Sequence, residues 1–330
     1  MKRILQIDGG GILGIMPALV LVKLERLLKE VMQTTLAESF DLITGSSTGA
    51  IIGGAIAAGV PAQAIADLYI KKGADLFSPR TRWNPGNWLR GKYDRNPFID
   101  QIKATKTFDG KPLETLLMKD LKTRFMATSF NLCSQRTHFL KSWDAYDGTH
   151  SLYEVISWSA LSAAYYFGKI NVPNFQWTDF LPDGSSKRIE GGVFQDGGQG
   201  INNNTIHYIL TEILANSWYQ EGVVILSLGT GNKDSYVSYS QASKTDFLGQ
   251  IFKYPFQARA ESTIDQVLAA QYLAKLNDSI RFHRFDTILP DDENELDKVD
   301  YIDHFVEYGQ RMAEAVDLGF LQKYFKGDTA

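Results

Sequence analysis

The chain has 330 residues, 44% of them hydrophobic and 22% charged, which is enough apolar material for a full core and excludes intrinsic disorder as its main state. A formal charge of −4 counts against a dedicated duplex nucleic-acid binder. Cys133 stands alone, which excludes a disulfide scaffold and fits a reducing, cytosolic setting.

Met1-Lys2-Arg3 leads into a strand-like run without the pattern of a secretory signal. The longest apolar stretches, 15–22 and 51–60, fall short of the roughly 20 residues that span a bilayer, so any membrane contact is expected to be peripheral. In chain order, 4–7 reads as a buried strand, followed by glycines and an amphipathic helix over 12–31. Pro17 either kinks that helix or marks where its regular part begins. A second short strand is expected at 41–44, a small-residue helix at 48–58 and another helix at 62–76. Paired strands follow at 124–131 and 137–143, then a helix at 152–164 and a strand at 190–195. Helix 204–215, strand 223–228, a mostly helical region at 247–276, strand 280–285 and a closing helix at 305–324 complete the pattern. This alternation predicts an α/β fold with a mostly parallel central sheet and helices on both faces. Neither repeats nor long linkers interrupt it, so residues 1–330 read as a single domain.

Two segments depart from the average. Residues 71–95 carry seven cations against two acids and show no helical or strand period. Within 77–97, Arg80, Arg82, Trp83, Trp88, Arg90 and Arg95 make up a candidate lid or activator site. The mix of cations and tryptophans suits an anionic membrane interface or a nucleotide, and equally a surface loop packed on the core. The acidic run from Asp291 to Asp303 reads as a solvated loop and helix entrance.

Gly9, Gly11 and Gly14 fit the dinucleotide pattern G-x-G-x-x-G between strand and helix, but equally expose backbone N–H groups to another anion. The second strand ends in Thr44-Gly45-Ser46-Ser47 where a dinucleotide site expects an acidic residue, which counts against a nucleotide cofactor. Gly45-Ser46-Ser47-Thr48-Gly49 is a G-x-S-x-G turn from strand to helix, with Ser47 as candidate nucleophile and a plain small-residue turn as the alternative. None of the five histidines stands in a glycine-framed loop at a strand end. Asp196, in Gln195-Asp196-Gly197-Gly198, does; it is a candidate base or else an Asx-turn residue.

Asp8-Gly9-Gly10-Gly11-Ile12-Leu13-Gly14, Gly45–Gly49 and Asp196-Gly197-Gly198 stand in the order of the patatin-like phospholipases, and the chain resembles that family from about residue 4 to residue 231. The blocks at 159–167 and 227–231 add to the likeness. The resemblance implies a three-layer α/β/α fold and a Ser–Asp dyad of Ser47 with Asp196. It also implies an oxyanion hole from Gly9, Gly10 and Gly11, with membrane phospholipid as substrate and neither metal nor cofactor. Some bacterial members act as anti-phage effectors switched on by cyclic nucleotides, so a cyclic-nucleotide activator is an implied partner. Assembly into a homo-oligomer stays open. Three departures stand out: Leu13 where members often carry Arg or Lys, Asn204 where a proline is common, and Tyr165-Tyr166-Phe167 without the usual proline. The competing classes are a nucleotide-binding oxidoreductase and a non-catalytic storage or binding protein on the same fold.

Overall fold

A computed structural model describes the chain apart from residues 80–90, 181–182, 234–238, 245–246, 291–292, 294 and 327–330, and apart from the side chains of 179–180, 233, 241–242 and 247–260. In chain order the elements are β1 (Lys2–Ile7), α1 (Ile15–Met32), α2 (Leu36–Ser39), β2 (Leu42–Ser46), α3 (Thr48–Ala58), α4 (Ala62–Leu76) and α5 (Asn96–Ala104). There follow β3 (Arg124–Asn131), β4 (Arg136–Lys141), α6 (Leu152–Ala160), β5 (Ile170–Phe180), β6 (Ser186–Asp196) and α7 (Ile206–Ala215). The chain continues through β7 (Val223–Leu228), β8 (Asn232–Lys233), α8 (Tyr239–Ala242), α9 (Phe247–Leu276), β9 (Ile280–Phe285), β10 (Ile288–Leu289), α10 (Ile302–Glu314) and α11 (Leu318–Leu321).

Strands β9, β7, β1, β2 and β3 lie side by side in that order and run parallel. β4 and β6 are antiparallel to β3, and β5 is antiparallel to β6. The fold is therefore α/β with a mixed, largely parallel sheet. Alternation along the strands divides the core between its two faces, because successive side chains point to opposite sides. Leu5, Ile7, Ile43, Phe125, Val224 and Leu226 pack on one face with α1, α3, α4 and α6. Ile4, Leu42, Met126, Val223 and Ile225 pack on the other with Ile209 and Ile213 of α7. Burial on both faces explains why β7 reads as an unbroken apolar run.

Pro17 is the third residue of α1, in the first turn where an N–H has no helical partner, so it marks the start of the regular helix and makes no kink. The expected helix at 152–164 stops at Ala160. The closing helix begins at Ile302 and breaks after Glu314, where Asp317 Oδ1 accepts the Phe320 N–H at 2.7 Å and starts α11. β5 and α5 are additional to the sequence expectation. Pro173 stands where the β5–β6 register shifts between Val172 and Gln176, the kind of interruption that hides a strand from pattern reading.

The arrangement that positions the site lies on β3. Met126 pairs with Thr44 and with Lys141, and Ser129 pairs with Asp196 and with His138. β4 thus covers one edge of β3 from Met126 to Asn131, while β2 and β6 share the other edge. They approach from opposite directions. β2 ends with Ser46 opposite Thr128, and β6 ends with Asp196 opposite Ser129. The residue after Ser46 is therefore delivered against Asp196.

Helix α3 can lie close to the sheet because Gly53 and Gly54 leave room for the Phe125 ring, which a Cβ at either position would meet at 3.3 Å. Phe125 is fully buried. Phe125→Ala should cost about 3–5 kcal/mol through lost transfer energy and the cavity left under α3. Equilibrium urea unfolding followed by circular dichroism measures it; a loss below about 1 kcal/mol would contradict this packing.

Candidate active site

Ser47 has φ 54° and ψ −125°, a positive φ that few non-glycine residues adopt. It is the N-cap of α3, yet its side chain does not cap the helix. Its Oγ instead donates to Asp196 Oδ2 at 2.7 Å, and its backbone N–H reaches Ser159 Oγ at 3.3 Å. Gly49 allows the turn, since a Cβ there would fall on the Ile7 carbonyl. Ser46 is the last strand residue and is fully buried.

Asp196 is buried at the end of β6. Its two oxygens divide the work, because Oδ1 accepts the Gly198 N–H at 2.8 Å while Oδ2 takes the Ser47 hydroxyl. The Asx-turn contact and the contact with the candidate nucleophile are thus made by one side chain.

Gly9 lies against Ser47, close enough that an added Cβ would stand 2.9 Å from the Ser47 Cβ. Its carbonyl is drawn away by the Thr230 hydroxyl at 2.8 Å and the Asn203 amide at 3.1 Å. In a trans peptide the N–H points opposite to the carbonyl, so the Gly10 N–H is turned to the other side. Among the described residues neither the Gly10 nor the Gly11 N–H has an acceptor. The next N–H, that of Ile12, donates to the Leu296 carbonyl at 2.8 Å.

Behind this loop sits a buried polar network that was not apparent from the sequence. Asp8 Oδ1 accepts from Gln6 Nε2 at 2.7 Å and from Asn204 Nδ2 at 2.8 Å. Its Oδ2 accepts from Arg284 Nη2 at 2.7 Å. Arg284 also donates from Nε to Asp286 Oδ2 at 2.9 Å and from Nη1 to Ser227 Oγ at 2.7 Å. Burial opposes the guanidinium charge, but Asp8 and Asp286 outweigh it and hold Arg284 protonated well above its ordinary range. Burial raises the Asp286 carboxyl, the charge of Asp8 adds to that, and Arg284 works against both. The available signal was an Arg and an Asp at the carboxyl end of an edge strand, Arg284-Phe285-Asp286. Asn204, which departs from the family pattern, bridges Asp8 and Gln6. Leu13, another of the three departures, is buried in the core.

The histidines make their contacts elsewhere. His138 and His150 sit in a cluster with Trp158, Phe175 and Phe194, His283 packs on Phe285 and Phe320, and His304 pairs with Glu293. His207 lies on α7. Of the candidate lid or activator residues, Arg80, Arg82, Trp83, Trp88 and Arg90 lie outside the described residues. Arg95 donates from Nη2 to the carbonyls of Phe167, Gly168 and Lys169 at 2.6, 3.0 and 3.1 Å. The acidic run is only partly solvated: the Asp297 side chain is 8% exposed and accepts from Lys92 Nζ and from the Tyr93 hydroxyl.

The chain matches the family of patatin-like phospholipases over residues 5–210, and it belongs to that family. It is 30% identical over 145 residues to a cGAMP-activated phospholipase of Vibrio cholerae, covering 42% of this chain and 41% of that protein. It is 27% identical over 265 residues to a cGAMP-activated phospholipase of Escherichia coli, covering 75% and 67% of the respective chains. Patatin-17 of Solanum cardiophyllum is 29% identical over 179 residues, covering 51% and 43%. Two of these three matches span less than half of the relative's length.

Burial raises the Asp297 carboxyl, but the hydrogen bonds from Lys92 and Tyr93 and the Lys92 charge outweigh it and hold it below the usual carboxylate range. A carboxyl depressed in the folded state stabilises above its unfolded value of about 3.9 and loses that contribution as pH falls through its folded value. The stability gap between wild type and Asp297→Asn should therefore be full above about pH 5 and fade below about pH 4. Urea midpoints measured across that range test this, and a gap independent of pH would count against the ion pair.

Proposed function

We propose that the protein is a lipid acyl hydrolase that cleaves fatty-acyl esters of membrane phospholipids through Ser47 and Asp196. The observation that carries this reading is the 2.7 Å bond from Ser47 Oγ to Asp196 Oδ2 at a positive-φ turn between strand and helix. Membership of the patatin-like family supports the substrate class. In the proposed reaction Ser47 Oγ attacks the ester carbonyl while its proton passes to Asp196 Oδ2. The carbonyl oxygen becomes an oxyanion beside the glycine loop, where the N–H groups of Gly10 and Gly11 have no acceptor among the described residues. Collapse of the tetrahedral adduct expels the alcohol, which takes the proton back from Asp196, and leaves an acyl-enzyme on Ser47. Water, deprotonated by Asp196, then releases the fatty acid. The chemistry calls for neither a metal nor a cofactor.

The dinucleotide alternative fits the geometry less well. The glycine loop is pressed against Ser47, and the Ile12 N–H at the start of the helical segment is taken by the Leu296 carbonyl. A pyrophosphate would need that approach open.

The names of the Vibrio and Escherichia relatives support regulation by a cyclic dinucleotide. In this reading Arg80, Arg82, Trp83, Trp88 and Arg90 receive the activator or the anionic membrane surface, and the flanking Arg95 anchors the 167–169 backbone. Shifting a resting population from 1:99 to 99:1 takes about 5.5 kcal/mol of differential binding, a range that several charge-assisted contacts from arginine to phosphate can reach.

Ser47→Ala should abolish acyl release from phosphatidylglycerol vesicles with the circular dichroism spectrum unchanged. Asp196→Asn should lower kcat by about 10²-fold or more, since the amide cannot accept the proton. Fluorophosphonate labelling of Ser47 checks the nucleophile directly; labelling of Ser46, or wild-type release by Ser47→Ala, would overturn the assignment.

For the activator, Arg82→Ala with Arg90→Ala should abolish stimulation of vesicle hydrolysis by cGAMP while sparing hydrolysis of p-nitrophenyl butyrate. Equal loss on both substrates, or wild-type vesicle activity indifferent to cGAMP, would remove this part of the proposal.

A further inference from the structure

We infer that Arg284 is a positioning residue for the glycine loop beside Ser47, holding the Gly9–Gly10 peptide in the orientation that turns the Gly10 N–H toward the reacting oxygen. This inference rests on the function proposed above. It concerns a residue on β9, more than seventy positions beyond the stretch that matches the family.

Three chain segments meet at the Gly9 carbonyl; two are tied at their backs to the same guanidinium through a carboxylate, and the third is tied to one of those carboxylates, Asp8. The glycine loop is held through Asp8, the residue before Gly9, by the 2.7 Å bond to Nη2. The segment Asn202–Asn204 is held through Asn204, which donates to the other oxygen of Asp8 at 2.8 Å, while its neighbour Asn203 donates to the Gly9 carbonyl. The loop Gly229–Gly231 is held through Asp286, whose Oδ2 takes Arg284 and whose Oδ1 accepts the Gly231 N–H at 3.1 Å. That loop brings Thr230 to the Gly9 carbonyl at 2.8 Å. Both groups that orient the carbonyl are thus fixed from one buried point, together with the start of the loop.

A single guanidinium serves two carboxylates here, with its side chain 8% exposed. Buried ion pairs of this kind often add no net stability compared with apolar packing. What the planar fork supplies is direction, because it bonds Asp8, Asp286 and Ser227 at once with fixed angles. A lysine has one charged nitrogen and cannot reproduce the three directions.

The test uses the full chain with Arg284→Lys, Arg284→Met and Thr230→Val, read on p-nitrophenyl butyrate and against an alkyl trifluoromethyl ketone, whose serine adduct carries the oxyanion. Arg284→Lys and Arg284→Met should lower kcat by about 10- to 100-fold, with KM within about twofold, and weaken the ketone by about the same factor as kcat. A folded Arg284→Met that keeps kcat within about threefold, or a loss of kcat that merely tracks the unfolded fraction, would overturn the inference. Should Arg284→Met fail to fold, Thr230→Val decides, since it removes one donor to the Gly9 carbonyl and touches no charge. Lower kcat at an unchanged urea midpoint supports positioning, and unchanged kcat overturns it. Ser47→Ala is run alongside. Activity surviving in Ser47→Ala would mean that the hydrolase reading itself has failed, whereas loss there with unaffected Arg284 variants would sink only the present inference.

Discussion

One edge of β3 carries two strands that arrive from opposite directions, and the geometry of the site follows from that constraint. Ser129 is paired with Asp196, so β2 cannot continue past Ser46 along the same ladder. The chain has to turn away within one residue, and the turn places Ser47 at φ 54°. Helix α3 then runs back over Ile7 and Asp8, so close that position 49 admits no side chain. The strain at Ser47 is a consequence of strand pairing, and the surrounding small residues make it tolerable.

The same economy governs the reverse side of the glycine loop. Four stretches distant in sequence, at 6–9, 203–204, 227–231 and 284–286, are joined by hydrogen bonds around Arg284. Removing a single partner from such a network leaves buried acceptors unpaired, so its members are held to their places more strictly than apolar neighbours. β7 and β9 complete the sheet beside β1 and bring Ser227, Thr230, Arg284 and Asp286 to the loop. The candidate residues Gly9–Gly11, Ser47 and Asp196 fall within residues 5–210, but the hydrogen-bond network behind the glycine loop extends beyond that stretch.

Much of this was legible in the sequence wherever a single element decides its own pattern. Thr48–Ala58 and Ala62–Leu76 have the predicted bounds, as do Val223–Leu228 and Ile280–Phe285, because continuous or periodic burial writes itself into composition. Ser47 and Asp196 were legible because their turns demand glycines. β5 was not, since Pro173 breaks its alternation at the register shift. Arg284 was not either: one of two arginines on an edge strand, it is set apart only when Asp8, 276 residues earlier, is folded against it. Asp297 was misread for the same reason, since its partners Lys92 and Tyr93 lie some two hundred residues earlier and only the tertiary contact removes it from solvent.

On the proposed mechanism the absence of a histidine makes the glycine loop more important. A carboxylate is a weak base toward a serine hydroxyl, with an ordinary pKa of about 3.9. One of the two oxygens of Asp196 is already committed to the Gly198 N–H, so only the other meets Ser47. Proton removal can then run only as fast as the developing charge on the substrate oxygen is stabilised. That shifts the larger share of the barrier onto the N–H donors of the loop, each typically worth about 2.7–4 kcal/mol when correctly aimed. Backbone donors have no side chain of their own to steer them. Their aim is set by where the preceding carbonyl is held, and for the Gly10 N–H this is the Gly9 carbonyl, held by Thr230 and Asn203 and backed by a buried guanidinium between two carboxylates. A weak base and a heavily braced oxyanion loop are thus two sides of one design.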